Sequence, residues 1–333
     1  MSSTKTNKTG AIVSFILSAL FIVTAWWVFT NRQHLLDQMT IWSYEPSGNV
    51  AAISDRVAFT DKGKFAFYAT KPEVSDQASF NTQCPRQEVG SPILGCYTGE
   101  DRIYIYDITN EELDGMEEVT AAHEMLHAVW VRTSESDKKS LDRQLRAAYA
   151  SIDDAELKER MDYYERTEPG EFINELHSIL GTEEVNLSSE LQAYYNKFFD
   201  RDKVLALHQN YDSHYKALYA RANELYPLME SLSASIDTRS TSYDLAAKQL
   251  SADITAFNTR ASNGSFTSMS QFNSQRASLV SRSNALEAER TGINNDIATY
   301  DKYYSEYEEI SKQIEVLNDS IDSYNQIDAG PSV

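Results

Sequence analysis

The C-terminal part of the chain repeats its apolar residues at intervals of seven. Beyond about residue 200, glycine and proline are almost absent. One series is Met229, Ile236, Tyr243, Leu250 and Phe257, and a second is Phe272, Leu279, Leu286, Ile293, Tyr300, Tyr307, Ile314 and Ile321. A period of seven places such side chains along one seam of a long helix that packs against another helix. Residues 201–328 are therefore predicted to form a coiled coil.

The heptad phase breaks within ASNGSFTSMS, residues 261–270, around Asn263 and Gly264. Such residues are typical of a turn, so the chain is predicted to reverse there and to pair its two arms antiparallel. The seam is thin and partly polar, with Ser240 and Arg276 among its members. We expect the hairpin to act as a spacer or to bind a protein partner.

One long uncharged run, AIVSFILSALFIVTAWWVFT, occupies residues 11–30. Its roughly 20 residues would span about 30 Å as a helix, which is the thickness of a bilayer core. Trp26, Trp27 and Phe29 end the run, whereas a secretory signal has a shorter apolar region and a small-residue cleavage pattern. An uncleaved anchor that contacts the lipid bilayer is predicted, with a cleaved signal as the alternative.

Basic residues are concentrated before this run. Lys5 and Lys8 precede it, and only Arg32 follows closely. Because the more basic flank normally stays in the cytoplasm, residues 1–10 are predicted to be cytoplasmic and the rest of the chain extracytoplasmic. The expected location is the cell membrane, crossed once.

Charge and cysteine content narrow the function classes. With 50 acidic and 30 basic residues, the net charge of −20 argues against broad attraction to nucleic acid or anionic lipid. The two cysteines, Cys84 and Cys96, can pair in a non-cytoplasmic compartment, and a disulfide is predicted. Zinc ligation by this pair is the alternative, although the spacing is not that of a zinc finger.

Residues 40–200 are predicted to form an α+β domain, mainly helical with a small β-sheet. Residues 56–70 contain two runs that favour β-strands. In DRIYIYDIT, residues 101–109, apolar and polar residues alternate as in a strand. Helices are predicted from residue 111 to 132 and at 136–150, 152–166, 169–180 and 188–199. The strand at 101–109 could be the sheet edge on which an extended polypeptide is held by main-chain hydrogen bonds, or an ordinary strand.

The stretch TAAHEMLHAVW, residues 120–130, places two histidines four apart on the helix predicted over residues 111–132. His123 and His127 then project side by side and can offer two ring nitrogens to one tetrahedral Zn²⁺. Glu124 lies beside this pair, where its carboxylate can take a proton from a water that the metal activates. The spacing indicates a zinc hydrolase site rather than two unrelated histidines.

A catalytic zinc needs a third protein ligand, which downstream residues can supply. Within EPGEFINELHSILGTEE, Asn174, Glu175 and Ser178 match the N-E-x-x-S pattern. This segment resembles the second motif of gluzincin metallopeptidases, the thermolysin-like class, and the resemblance covers residues 120–180. It implies a zincin-like fold, Zn²⁺ held by His123, His127 and Glu175, and a polypeptide substrate.

The resemblance leaves several roles open. Glu171 and His177 compete with Glu175 as the third ligand. The aspartate that holds the first histidine in the family is replaced by Ile179. Its role must therefore fall to another group, and the acidic candidates are Asp114, Glu118, Glu183 and Glu184. The resemblance also implies an oxyanion donor beyond the third ligand, for which the candidates are Tyr194, Tyr195, His208, Tyr211 and His214.

Two functions fit these patterns. The first is a membrane-anchored, outward-facing zinc metallopeptidase in which Glu124 is the general base. The second is a non-catalytic cell-envelope scaffold that works through its coiled coil and carries a degenerate or structural zinc domain.

Overall fold

The computed structural model of the protein describes residues 8–84, 93–167 and 170–322. Contacts divide the chain into two compact units. The first is Met1–Ser213 with Leu317–Val333, and the second is His214–Val316. Three predicted features lie outside the described residues. They are Lys5, Pro169 at the start of the helix predicted over 169–180, and hairpin residues 323–328.

The apolar run forms helix α1, Lys8–Thr30. Within it, Ile12–Thr30 is long and apolar enough to cross a membrane, a test that a signal sequence near the N-terminus also passes. Helix α2, Arg32–Ser43, follows after one residue. Its Asp37 is buried against the rest of the first unit.

The two β-rich runs predicted over 56–70 are wrong, because that region lies in helices α3, Gly48–Val57, and α4, Asp61–Ala69. Ser47 and Thr60 cap these helices by accepting the N–H groups of Val50 and Gly63. Such caps satisfy main-chain donors that a helix start leaves unpaired. The apolar residues of so short a segment fit a strand and a helix alike, and the caps with core packing select the helix.

The sheet has three strands: β1, Glu73–Ser75; β2, Gly95–Tyr97; and β3, Ile103–Tyr106. Helix α5, Gln77–Gln83, lies between β1 and β2 in sequence, and a disulfide joins Cys84 to Cys96, as predicted. Strand β3 confirms the strand predicted at 101–109, but it is central, parallel to β1 and antiparallel to β2. Of the two alternatives for this strand, the structure therefore shows the ordinary strand and not a sheet edge.

Five helices form most of the remaining core of the first unit. They are α6, Met116–Arg132; α7, Glu135–Ser151; α8, Ala155–Thr167; α9, Phe172–Thr182; and α10, Ser189–Tyr195. The helix predicted from residue 111 is interrupted, since a 3₁₀ turn covers Glu111–Leu113 and Gly115 has φ +100°. Helix α6 packs closely on α9, β2 and β3, so the core places this helix at the centre of the unit.

The predicted helical hairpin is present as α11, Arg201–Ser262, and α12, Met269–Ile321. In the second unit the arms run antiparallel, with ion pairs from Arg221 to Glu306 and from Arg239 to Glu289. Seam residues such as Met229 and Ile310 are buried there. The chain reverses between α11 and α12, where Phe257, Phe266 and Phe272 pack together with ring centroids 5.1 to 5.2 Å apart.

Candidate metal centre

Helix α6 carries both histidines, and the residue before its first turn has a backbone conformation that favours glycine. Gly115 has φ +100°, a left-handed conformation that costs little without a side chain. Glu117 and Glu118 lie in the first turn and Arg132 in the last, which matches the helix dipole. The residues at its two ends thus favour the start and the end of helix α6, and its middle turns carry the histidine motif.

Close packing of α9 brings a carboxylate to the two histidines. At Gly181 a Cβ atom would lie 2.6 Å from Leu126 Cδ1 and 2.6 Å from Tyr195 Cε1, so only a glycine allows this approach. Both neighbours are buried in the core. Glu175 is nearly two turns before Gly181 on the same helix, and its side chain therefore reaches the histidines of α6.

The side chains of His123, His127 and Glu175 converge. Their potential ligand atoms all lie within 4.8 Å of one another. The Glu175 carboxylate oxygens are 3.6 Å from His123 Nε2 and 3.5 Å from His127 Nε2. These separations exceed a good direct hydrogen bond, but match the separation of about 3.4 Å between tetrahedral ligands at zinc bond lengths. This group could hold a metal ion.

The other ring nitrogen of His127 is already engaged. Nδ1 lies 3.0 Å from Oδ1 of Asn174 and 3.4 Å from the Ser178 hydroxyl. Because the amide oxygen only accepts, the ring donates from Nδ1 and leaves the Nε2 lone pair for a metal. Glu171 accepts a hydrogen bond from Asn174 Nδ2 at 2.9 Å. Glu171 therefore orients Asn174, which in turn orients the ring of His127, and Glu171 has no direct contact with the ring in this chain of hydrogen bonds.

His177, the other competing ligand, is fully buried elsewhere. Its Nε2 lies 3.0 Å from the Tyr194 hydroxyl, and its ring packs on Trp130 and Tyr195. Burial lowers the pKa of His177 to about 3, so the ring is neutral. It belongs to the core of the unit rather than to the group of three.

The four acidic candidates for holding His123 have other partners. Asp114 and Glu118 both pair with Arg56. Glu184 accepts the N–H of Asn186, and Glu183 pairs with Arg160 at 2.5 Å. Of the four, Glu183 is the one whose charge helps to raise the pKa of His123. Ile179, which replaces the aspartate of the family pattern, is a core residue.

The charges in the group depend on one another. Burial opposes protonation of His123, but Glu175 and Glu124 outweigh it and raise its pKa. Burial alone would raise the pKa of Glu175, whereas His127 and His123 lower it overall, with a smaller contribution from Arg160. Glu175 is thus a carboxylate, the form that binds a metal. Arg160 carries no signal in the sequence, because α8 lacks a motif that points to this centre.

Glu124 lies beside the group and against strand β2. It is 7% exposed, and burial raises its pKa despite the neighbouring imidazoles. A Cβ atom at Gly95 would lie 2.9 Å from Glu124 Oε1 and 2.5 Å from Thr120 Cγ2, so β2 approaches the carboxylate closely. The main-chain N–H of Tyr97 opposes the effect of burial and lowers the pKa of this carboxylate. Neither Gly95 nor Tyr97 belongs to a motif, so their proximity to Glu124 becomes visible only when β2 packs on α6.

The residues considered as oxyanion donors have different surroundings. Tyr195 is fully buried and donates its hydroxyl to the main-chain oxygen of His177, so it has a packing role. Tyr194 contacts His177. His208 Nε2 lies 3.9 Å from Glu183 and packs edge-on against Tyr211. His214 belongs to the second unit.

No protein-family model, curated protein or solved structure matches this chain.

Proposed function

We propose that the protein is a membrane-anchored zinc metallopeptidase of gluzincin type, with Glu124 as general base. The observation that carries this proposal is the convergence of His123, His127 and Glu175, with the buried Glu124 carboxylate beside them. Two imidazoles and one carboxylate are a ligand set of catalytic zinc sites, in which the fourth position takes water or substrate. Zn²⁺ bound there would lower the pKa of water and polarise the scissile carbonyl group.

Glu124 would act as general base and then as general acid in this reaction. Its carboxylate accepts a proton from the attacking water while the water oxygen bonds to the carbonyl carbon. It then delivers that proton to the amide nitrogen as the C–N bond breaks. Because burial raises the pKa of Glu124, its carboxylate is a stronger base toward the attacking water than a solvent-exposed glutamate would be.

The remaining parts of the chain fit an extracytoplasmic enzyme. Helix α1 would anchor the chain in the membrane, with residues 1–10 in the cytoplasm, and the disulfide suits an oxidising compartment. The polypeptide substrate would bind next to β2, the strand that lies on Glu124. The hairpin would act as a spacer or bind a protein partner.

The test uses the full chain in detergent, with zinc content measured by mass spectrometry and cleavage of a mixed peptide library. The wild type should bind one Zn²⁺ and cleave peptides. Glu124→Gln should keep the zinc and lose about 10²- to 10⁴-fold in turnover, the range that general acid–base catalysis supplies. Glu117→Gln, on the same helix, is the matched control and should stay active.

Two results would overturn the proposal. Turnover retained in Glu124→Gln would remove the assigned base. One bound zinc without any peptide cleavage by the wild type would favour the second function, a scaffold with a structural zinc domain.

A further inference from the structure

Strand β2 lies at one edge of the three-stranded sheet and passes close to Glu124. Thr98 donates its N–H to Arg102 at 2.8 Å, and Leu94 accepts the N–H of Tyr106 at 2.8 Å, so residues 94 and 98 pair with β3. In an antiparallel pair the main-chain groups alternate in direction, and those of Gly95 and Tyr97 therefore point away from β3. The main-chain N–H of Tyr97 thus points away from β3, and it acts on the Glu124 carboxylate, whose pKa it lowers.

The side chain of Tyr97 is held by a chain of charged groups. Its hydroxyl donates to Asp101 Oδ1 at 2.7 Å. Arg132, the last residue of α6, donates to the two oxygens of Asp101 at 2.9 and 2.7 Å. The same guanidinium donates to both oxygens of Asp37 on α2, at 2.9 and 2.8 Å. Bidentate Arg–carboxylate pairs fix geometry as well as charge.

Asp101 combines a left-handed backbone with a carboxylate that both Tyr97 and Arg132 bind. Asp101 has φ +60°, a left-handed conformation that aspartate adopts more readily than most residues with a side chain. Glycine would adopt this conformation freely, but it could not accept the hydrogen bonds of Tyr97 and Arg132. Asp37 is 3% exposed, so this network is anchored in the interior of the first unit.

We infer that Tyr97 is a positioning residue for Glu124: its main-chain N–H orients the carboxylate, while Asp101 and Arg132 hold Tyr97 in place. This inference rests on the proposed function. A general base must lie within hydrogen-bond reach of its proton, and a loosely held base loses rate even when substrate and metal still bind. The network also links the catalytic helix to α2, the helix that directly follows the candidate membrane span.

The test compares Tyr97→Phe and Asp101→Asn with the wild type in the full chain. Tyr97→Phe removes only the hydroxyl that binds Asp101, and asparagine tolerates the left-handed backbone. Both variants should lose about tenfold in kcat, with unchanged KM and one bound Zn²⁺, since a base displaced by a fraction of 1 Å affects the transition state rather than binding. Tyr44→Phe is the matched control, because the Tyr44 hydroxyl also donates to one acceptor, the main-chain oxygen of Pro72 at 2.6 Å.

A second measurement does not depend on turnover. Hydrogen exchange of the Tyr97 amide, resolved by fragmentation mass spectrometry, should become at least several times faster in Tyr97→Phe and in Glu124→Gln. It should not change in Tyr44→Phe. Because this readout needs no substrate, a wild type without peptidase activity would refute the proposed function and leave the Tyr97 contact measurable.

Three results would overturn the inference. The first is an unchanged kcat in both variants, and the second is a loss carried entirely by KM. The third is a Tyr97 amide that exchanges at the same rate with and without the Glu124 carboxylate.

Discussion

Substitution of Gly181 by alanine tests whether the close approach of α9 to α6 builds the metal centre. The new methyl group would lie 2.6 Å from Leu126 Cδ1 and from Tyr195 Cε1, about 1 Å or more inside ordinary contact. Both neighbours are buried in a packed core and cannot turn into solvent. The helices must therefore separate, or the core must repack around the methyl group.

The expected magnitude follows from two opposing effects. Alanine favours the helix by about 1 kcal/mol over glycine, whereas an extra methyl group in a packed core costs about 1 to 3 kcal/mol. The free energy of unfolding should thus fall by up to about 2 kcal/mol. Separation of the helices also moves Glu175 away from the histidines, so zinc affinity should fall by about tenfold or more, as for lost supporting contacts.

Two assays check this expectation. Denaturant unfolding with a chelator present measures the stability change, and competition with a chromophoric chelator measures zinc affinity. Gly48→Ala is the control, because a Cβ atom at Gly48 meets nothing within 4 Å. If Gly181→Ala were as stable as the wild type and bound zinc equally well, the packing of Gly181 would not determine the ligand geometry.

Three further predictions follow from individual contacts. Asn174→Ala should weaken zinc binding by about 10- to 100-fold, because the ring of His127 loses the acceptor that orients it, whereas Asn174→Asp should retain most of the affinity in the same competition assay. Burial raises the pKa of Glu117 from 4.5 to about 7. The protonated side chain therefore stabilises the fold fully below pH 4.5, and this stabilisation is lost as the pH rises through 7. The loss should be about 1 to 2 kcal/mol, because solvent screens this partly exposed group and reduces the value that the full shift would give. Glu117→Gln should flatten this dependence in unfolding measured at pH 5 and pH 8, and an equal slope in both proteins would contradict it. Replacement of Cys84 and Cys96 by serine should cost about 3 kcal/mol of stability and lower turnover, since Cys96 lies on the strand that contacts Glu124. Unchanged thermal unfolding would show that the loop is held without the disulfide.

Patterns carried by neighbouring residues were predictable from the sequence. The heptad spacing from Met229 to Ile321 predicts the helical hairpin, since one helix face repeats along the chain whatever it packs on. The four-residue spacing of His123 and His127 places both rings on one side of α6 for the same reason. The pairing of Cys84 with Cys96 followed from the presence of only two cysteines and from the predicted extracytoplasmic location.

Contacts between distant segments were decided by the tertiary structure. The sequence left Glu171, Glu175 and His177 open as third ligands, and packing at Gly181 brings the Glu175 carboxylate to the histidines. It also predicted strands over residues 56–70, where caps and core packing produce helices, and left open whether the strand at 101–109 lies at the sheet edge, whereas the sheet places it at the centre. The contact of β2 with Glu124 joins segments without a common pattern. Periodicity determines which face of an element is apolar, but only the packed core determines which other element that face meets.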